Sequence, residues 1–206
     1  MRPTIGEVAQ QIIRRAGPAR RFTVAIAGPP GSGKSTLTEE IARELVARGE
    51  SAAVVPMDGF HMDNAVLEGK GLLERKGAPQ TFDIRGLLDI TKALHKGDEE
   101  VLVPLFDRAR ELSVAAARSV PVQTRFVLIE GNYLLLDEPG WIDLARFIDL
   151  SVMLAPPESV LEERLLRRWL DLGLAPDTAR MKVLENDLPN GRLVLTRSRR
   201  ADFLLS

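Results

Sequence analysis

A glycine-rich run near the N-terminus has the residue types and spacing that hold phosphate groups. Residues 28–35 read GPPGSGKS and match the pattern GxxxxGK[ST] without a gap. The glycines let successive backbone N–H groups point at one anion. The lysine adds a positive charge, and the last hydroxyl reaches a metal ion. The pattern therefore predicts a site for the phosphates of ATP with Mg²⁺. The residues assigned to the nucleotide are Gly28, Pro29, Pro30, Gly31, Ser32, Gly33, Lys34, Ser35 and Thr36.

The segments on either side of this loop are those that a phosphate-binding loop requires. The apolar run Phe22–Ala27 precedes it and is typical of a buried strand. The segment Lys34–Arg48 follows it with apolar residues at helical spacing and a glycine after its last turn. The alternative is a chance glycine-rich turn, but such a turn would not require a strand before it and a helix after it. We therefore assign Lys34 a catalytic role at the β- and γ-phosphates.

Two acids follow predicted strands, where parallel α/β sheets place their ligands. Asp58 follows the strand-like run Ala52–Met57, and we interpret it as the general base for an acceptor hydroxyl. Glu130 follows Phe126–Ile129, and we assign it with Ser35 to Mg²⁺. The alternatives are that Asp58 caps the next segment and that Glu130 bonds only to nearby backbone.

Three further residues lie in loops that could face the acceptor. His61 stands three residues after Asp58, and Phe106 and Arg108 follow a predicted strand over Val101–Leu105. We assign all three to acceptor binding. The alternatives are a solvated imidazole for His61 and a structural ion pair for Arg108.

Arginines cluster on the predicted helix Ser159–Leu172. Arg164, Arg167 and Arg168 are spaced so that they share one helix face. Arginine can stabilise the negative charge that spreads over a transferring phosphoryl group. We assign Arg164 and Arg167 to that task, with a solvated charged helix as the alternative.

The order of predicted elements indicates one α/β domain over residues 1–206 with a mainly parallel sheet. Further short apolar runs at Phe147–Leu154 and Asp202–Leu205 are predicted to be strands. The segments that break the alternation are an acceptor-side insertion at about 59–82 and a lid at about 163–190.

Composition restricts the class of protein further. The chain has 206 residues, a formal net charge of −1 and no cysteine, so thiolate chemistry is excluded and no overall positive field favours nucleic acid. The N-terminus lacks the apolar core of a signal peptide, and no apolar stretch is long enough to cross a bilayer. We expect a cytoplasmic protein with a small-molecule alcohol as its partner and without nucleic acid or membrane partners. The sequence does not decide whether the protein forms a homo-oligomer.

The motifs together resemble the uridine kinase, phosphoribulokinase and bacterial pantothenate kinase group of P-loop kinases. The closest resemblance is to a bacterial subgroup with the provisional label fructose transport system kinase, a label that is not evidence about sugar. The segments that carry it, beyond the phosphate loop, are MDGFH at 57–61, GAPQTFD at 77–83, VPLFDR at 103–108, VLIEG at 127–131, ERLLRR at 163–168 and RRAD at 199–202.

The resemblance implies a P-loop NTPase fold of three layers, α/β/α, with a five-stranded mainly parallel sheet and a helical lid. It implies that Asp58 is the base, that Arg164 and Arg167 belong to the lid, and that residues 199–202 lie near the adenine. Uridine kinases carry tyrosines and a later histidine around the acceptor, where this chain has His61 and Phe106. That departure puts a nucleoside acceptor in doubt.

These observations predict an ATP-dependent phosphotransferase that moves the γ-phosphoryl group to an alcohol of a small metabolite, such as a sugar, nucleoside or vitamin precursor. The alternative is a nucleotide-state switch or accessory NTPase without a small-molecule acceptor. The chain has the DxxG pattern of GTPases at Asp137–Gly140 but no NKxD sequence for guanine selection. The absence of that sequence favours the kinase.

Overall fold

The computed structural model describes residues 4–206 and contains a parallel sheet between two layers of helices. Five strands form this sheet in the order β2-β5-β1-β6-β7, and every neighbouring pair is parallel. The predicted α/β three-layer fold with a five-stranded sheet is thus confirmed. The strands are β1 (Phe22–Ala27), β2 (Ala52–Pro56), β3 (Val101–Asp107), β4 (Leu112–Val120), β5 (Phe126–Gly131), β6 (Leu150–Leu154) and β7 (Phe203–Leu205).

Helices cover both faces because alternate strand residues point to opposite sides. In β1, Ala25 packs into one hydrophobic core while Val24 and Ile26 pack into the other. None of the helices within residues 4–206 has the length and apolarity needed to cross a bilayer. The helices are α1 (Ile5–Ala16), α2 (Lys34–Ala47), α3 (Asn64–Gly69), α4 (Ile84–Lys96), α5 (Glu158–Asp171), α6 (Pro176–Lys182) and α7 (Leu188–Arg197).

The sheet register brings the predicted functional acids to one edge. Ala27, at the end of β1, is paired with Gly131 of β5, and Pro56, at the end of β2, is paired with Glu130. The phosphate loop leaves β1 at this edge, and a 3₁₀ turn over Met57–Phe60 leaves β2 beside it. The phosphate loop, Asp58 and Glu130 therefore lie at the same edge of the sheet.

The segment between α4 and β5 differs from the sequence prediction. The strand predicted at Val101–Leu105 exists as β3, but it pairs antiparallel with β4 in a separate two-stranded hairpin. The pattern did not indicate β4, because its sequence, LSVAAARSV, lacks a regular alternation of apolar and polar residues, and within it Val120 alone is buried. The hairpin lies over the end of β2, where Gly59 is so close to the Pro104 carbonyl that a Cβ would overlap it.

The segment Glu158–Arg197, called here the C-terminal helical segment, has a small core of its own. Leu161, Leu165, Val183 and Leu188 are buried together in it, separate from the two cores of the sheet. The helix predicted over Asp177–Glu185 instead runs from Pro176 to Arg197 as α6, a π-helical turn at Val183–Asp187, and α7.

A glycine fixes the distance between β5 and the turn that carries Asp58. A Cβ at Gly131 would lie 2.7 Å from Met57 Sδ and closer still to Met57 Cβ. Gly131→Ala should therefore lower the free energy of unfolding by about 1–3 kcal/mol, the usual cost of overpacking a core. Urea denaturation would measure this, with Gly69→Ala as control because no atom lies within 4 Å of a Cβ built there. Equal stability of the two variants would contradict the packing argument.

Candidate active site

The phosphate loop has a backbone conformation that depends on its glycines. Gly31 and Gly33 have φ angles of 77° and 89°, which favour glycine. A Cβ on Gly28 would lie 2.7 Å from Ser32 Oγ and 2.9 Å from the Leu154 carbonyl oxygen. Gly33 caps the N-terminus of α2, whose free N–H groups and dipole attract anions. The loop thus has the form expected of a phosphate site.

Glu130 and Ser35 are hydrogen-bonded side by side. The Ser35 hydroxyl donates to Glu130 Oε1 at 3.0 Å. Burial raises the pKa of Glu130, and the charge of Lys34 offsets this in part. Within the part of the chain that the structure describes, Glu130 Oε2 is buried without a hydrogen-bond partner, as is Asn132 Oδ1. These two oxygens need a donor or a cation that the described residues do not provide.

Such an oxygen set fits Mg²⁺, which binds through one or two carboxylates and substrate phosphates and keeps several waters. Within residues 4–206 no group of three His, Cys, Asp or Glu side chains could enclose a metal ion. A metal held jointly by Ser35, Glu130 and nucleotide phosphates is consistent with both observations.

Asp58 lies in the 3₁₀ turn after β2 and is held by its neighbours. Arg108 Nη2 donates to Asp58 Oδ2 at 2.6 Å, and His61 Nδ1 lies 2.8 Å from the Asp58 carbonyl oxygen. Burial favours the neutral acid, but Lys34, His61 and Arg108 together outweigh burial and lower the pKa of Asp58. The carboxylate is therefore ionised at neutral pH and can accept a hydrogen bond.

An aromatic wall lies beside this carboxylate. The His61 ring is 4.1 Å from the Phe82 ring and 4.9 Å from the Phe106 ring, measured between centroids. Lys76 Nζ lies 5.1 Å from the Phe106 centroid and also donates to Asn64 Oδ1. Burial lowers the pKa of His61, so the imidazole is neutral at pH 7. The His61 ring therefore packs between two aromatic rings, while its Nδ1 atom contacts the Asp58 carbonyl oxygen.

A cleft of about 420 Å³ joins the phosphate loop to Asp58. It brings together most of the residues that the sequence assigned to chemistry and to the acceptor. Glu130 does not line the cleft itself but contacts it through Ser35. The assigned residues in the lining, apart from the loop glycines, are Pro30, Lys34, Ser35, Thr36, Asp58, His61, Phe106 and Arg108.

The arginines of α5 occupy different positions from one another. Arg164 Nη1 donates to the carbonyl oxygens of Gly31 and Ser32 at 3.3 and 3.1 Å, so it contacts the outside of the loop. Arg167 is largely exposed and pairs with Glu163 at 3.3 Å. Arg168 lines the 420 Å³ cleft, whereas Arg164 and Arg167 line neighbouring cavities.

The C-terminal helical segment contributes side chains that the sequence analysis did not single out. The residues that it contributes to the lining of the 420 Å³ cleft include Trp169, Asn186, Asp187 and Asn190. The available signal was the run of helix-disfavouring residues at 186–190, NDLPN, inside a segment of helical period. Such residues inside a helix often mark a function rather than a fold requirement.

A second cavity, of about 580 Å³, lies on the other side of the phosphate loop. Its lining includes Ile5 and Val8 of α1, Leu37 of α2, and Leu205 of β7. Its size is within the range of ligand pockets. Asp202 accepts hydrogen bonds from the backbone and hydroxyl of Ser151 instead of lining this cavity.

Comparison with known proteins gives several matches. A crystal structure from Silicibacter sp. TM1040, provisionally described as a fructose transport system kinase, is 47% identical with a TM-score of 0.95, covering 99% of this chain and 100% of the other. An uncharacterized Escherichia coli protein is 36% identical over 94% of this chain and 81% of its own length. A Schizosaccharomyces pombe protein provisionally described as a uridine kinase is 35% identical over 75% and 69%.

Two other matches cover a smaller part of this chain or of the matched protein. A pantothenate kinase from Nocardioides sp. is 32% identical over 75% of this chain, which spans only 50% of that enzyme. The family model of the methylmalonyl-CoA mutase-associated GTPase MeaB matches residues 2–70. That region is a third of the chain and contains the phosphate loop, which GTPases and kinases share.

Proposed function

Because this chain belongs to the uridine kinase, phosphoribulokinase and pantothenate kinase group of P-loop kinases, we propose that it transfers the γ-phosphoryl group of ATP to an alcohol of a small metabolite. The observation that carries the proposal is the position of Asp58 in the same cleft as Lys34 and Ser35. An ionised carboxylate beside a phosphate loop can orient a hydroxyl for attack and accept its proton.

The loop would hold the phosphates of ATP, and the 580 Å³ cavity beside it would take the base and ribose. Lys34 would contact the β- and γ-phosphates. Ser35 and Glu130 would hold Mg²⁺, which neutralises phosphate charge when bound. The unpartnered Glu130 Oε2 supports this assignment because a buried carboxylate oxygen without a partner is costly.

Arg108 would keep Asp58 in place during the reaction. Its hydrogen bond occupies Oδ2 and leaves Oδ1 for the acceptor hydroxyl. His61 and Phe106 would form the apolar side of the acceptor site, in line with their ring contacts. The acceptor-side insertion at about 59–82 would thus shape the site within a single kinase domain over residues 1–206.

The residues at about 163–190 would act as a lid that excludes water from the phosphoryl group. Arg164 already contacts the phosphate loop, and a small movement would bring its guanidinium to a bound nucleotide. Arg167 would reach the transferring group only by turning away from Glu163. Arg168, which lines the cleft, is a further candidate for the same charge.

Loss of the Glu130 carboxylate should weaken the use of Mg²⁺. In Glu130→Gln, the Mg²⁺ concentration for half-maximal activity should rise about 10–100-fold, the usual effect of disturbing a metal's protein partners. Titration of activity with Mg²⁺ at saturating ATP measures it, with the exposed Glu39→Gln on α2 as control. An unchanged Mg²⁺ requirement in Glu130→Gln would remove Glu130 from the metal site.

The proposal is tested by ADP release from ATP with a panel of acceptors: nucleosides, hexoses, pentose phosphates, glycerate and pantothenate. Stimulation by one acceptor class, lost in Asp58→Asn, is the expected result. ADP release that no acceptor stimulates, in protein that binds ATP, would count against a kinase of these alcohols.

The match of residues 2–70 to a GTPase family favours a second candidate, a nucleotide-state switch. A switch hydrolyses nucleotide slowly without an acceptor and changes its affinity for a partner. The acceptor-like cleft beside Asp58 is the feature that favours the kinase over this candidate.

A further inference from the structure

A second carboxylate, Asp187, lines the same cleft as Asp58 and has no role in the mechanism above. Asp187 is the last residue of the π-helical turn Val183–Asp187. Such turns are rare in proteins, and those that occur are often found at functional sites. Asp187 is only 9% exposed. Trp169 Nε1 donates to its Oδ2 at 2.6 Å, and no other hydrogen bond to this carboxylate is found within residues 4–206. Oδ1 is therefore left for a ligand.

The chemistry of this oxygen limits what the ligand can be. Asp187 Oδ2 already accepts a hydrogen bond from Trp169, and in the ionised carboxylate Oδ1 also only accepts, so the ligand group that fits it is a donor. The positive charges of Arg168 and Lys182 already act on Asp187, which disfavours an ammonium group there. A neutral hydroxyl is the remaining common donor on a small metabolite. Burial raises the pKa of Asp187, and a bound hydroxyl would replace the lost water.

The surrounding amides also suit hydroxyl groups, because an amide both donates and accepts. Asn132 Oδ1 is buried without a partner. Among residues 4–206, the side-chain amides of Asn186 and Asn190 make only long hydrogen bonds of 3.3–3.5 Å, to or from Lys76, Arg75 and each other. These amides can turn to a ligand at small cost.

The charges of the cleft do not require an acidic acceptor. Apart from Lys34, which serves the nucleotide, cationic and acidic side chains in the lining are equal in number. The cations are Lys76, Arg108, Arg168 and Lys182, and the acids are Asp58, Glu74, Glu111 and Asp187.

We propose that Asp187, positioned by Trp169, binds a second, non-reacting hydroxyl of the acceptor, and that the acceptor is a polyhydroxylated metabolite held between Asp58 and Asp187. This inference rests on the proposed function and narrows its substrate class. Because Asp187 belongs to the C-terminal helical segment and Asp58 to the sheet edge, a polyol would bridge the two.

The test compares acceptors that differ by one hydroxyl: D-ribose with 2-deoxy-D-ribose, D-fructose with 1-deoxy-D-fructose, and D-glycerate with 3-hydroxypropionate. Wild-type protein should prefer one polyol over its deoxy partner at least about tenfold in kcat/KM, the effect of a lost hydrogen bond to a charged group. In Asp187→Asn the preference should fall towards one, through KM and with kcat little changed. The asparagine oxygen can still accept from Trp169, so the fold contact is kept.

Trp169→Phe separates positioning from binding. It should raise KM for the polyol while the preference for the extra hydroxyl persists in part, because Asp187 remains. Asp177→Asn, an exposed acid at the start of α6, is the matched control and should behave as wild type. An undiminished preference in Asp187→Asn would overturn the inference, as would equal turnover of polyol and deoxy acceptors by wild-type protein.

A binding measurement keeps this test independent of turnover. With a non-hydrolysable ATP analogue present, the same polyols should raise the Tm of wild-type protein but not of Asp187→Asn. No polyol-dependent rise in Tm would overturn the inference, even if an alcohol with one hydroxyl is phosphorylated and the proposed function stands. A polyol-dependent rise without any phosphoryl transfer would instead contradict the proposed function alone.

Discussion

Replacement of Asp58 by asparagine is expected to lower kcat by roughly 10²–10⁴-fold, the usual cost of losing a general base. The amide keeps the size of the side chain but cannot take the proton of the acceptor hydroxyl. Lys34 and the loop glycines are untouched, so ATP should bind with nearly unchanged affinity. Steady-state kinetics with calorimetric ATP titration would measure both quantities.

Asp58→Asn also breaks the ion pair with Arg108, so a second variant separates the two effects. Arg108→Gln removes the ion pair and leaves the carboxylate, and it should lose much less activity than Asp58→Asn. Glu111→Gln, which removes an exposed acid from the same cleft, should retain activity. If Arg108→Gln and Asp58→Asn lose the same activity, Asp58 acts only through the ion pair and not as the base.

Lys34→Met should lower kcat/KM for ATP by roughly 10²–10³-fold, the range for loss of one preorganised charge at the transition state. The positive charges of Lys34 and Arg108 each act on both Asp58 and Glu130. Loss of Lys34 should also raise the pKa of Asp58, since a cation that stabilises the ionised form is gone. The acid limb of the pH–rate profile should then move to higher pH.

The control for this variant is Lys96→Met, which removes an exposed lysine at the end of α4 that pairs with Asp98. It should leave kcat/KM unchanged, and both variants should keep the Tm of the wild type within a few degrees. A Lys34→Met protein with normal kcat/KM for ATP would place the phosphates elsewhere.

The parts of this site that the sequence predicted are those set by local pattern. The phosphate loop needs glycines and a lysine at fixed spacing, and the acids at 58 and 130 follow short apolar runs that are typical of buried strands. Their approach to one another follows from the parallel sheet, whose strands all end at the same edge.

The parts that the sequence did not predict depend on contacts between distant segments. The apolar run of β4, VAAA at residues 114–117, is short and consists mostly of alanine, which is depleted in strands. The strand is stabilised by pairing with β3 rather than by an apolar pattern of its own. Asp187 lines the cleft at the end of a π-helical turn, and no spacing rule anticipates such a turn. Which arginine of α5 lines the cleft likewise depends on how that helix packs against the loop.

The most direct test of the central claim follows the phosphorus atom itself. Protein incubated with ATP carrying a labelled γ-phosphate and the acceptor panel should yield label in an organic phosphate ester, detected by mass spectrometry as an acceptor gaining one phosphoryl group. The same mixture with Asp58→Asn should yield almost none. Label found only as inorganic phosphate, at a rate indifferent to every acceptor, would contradict the kinase and favour the nucleotide-state switch.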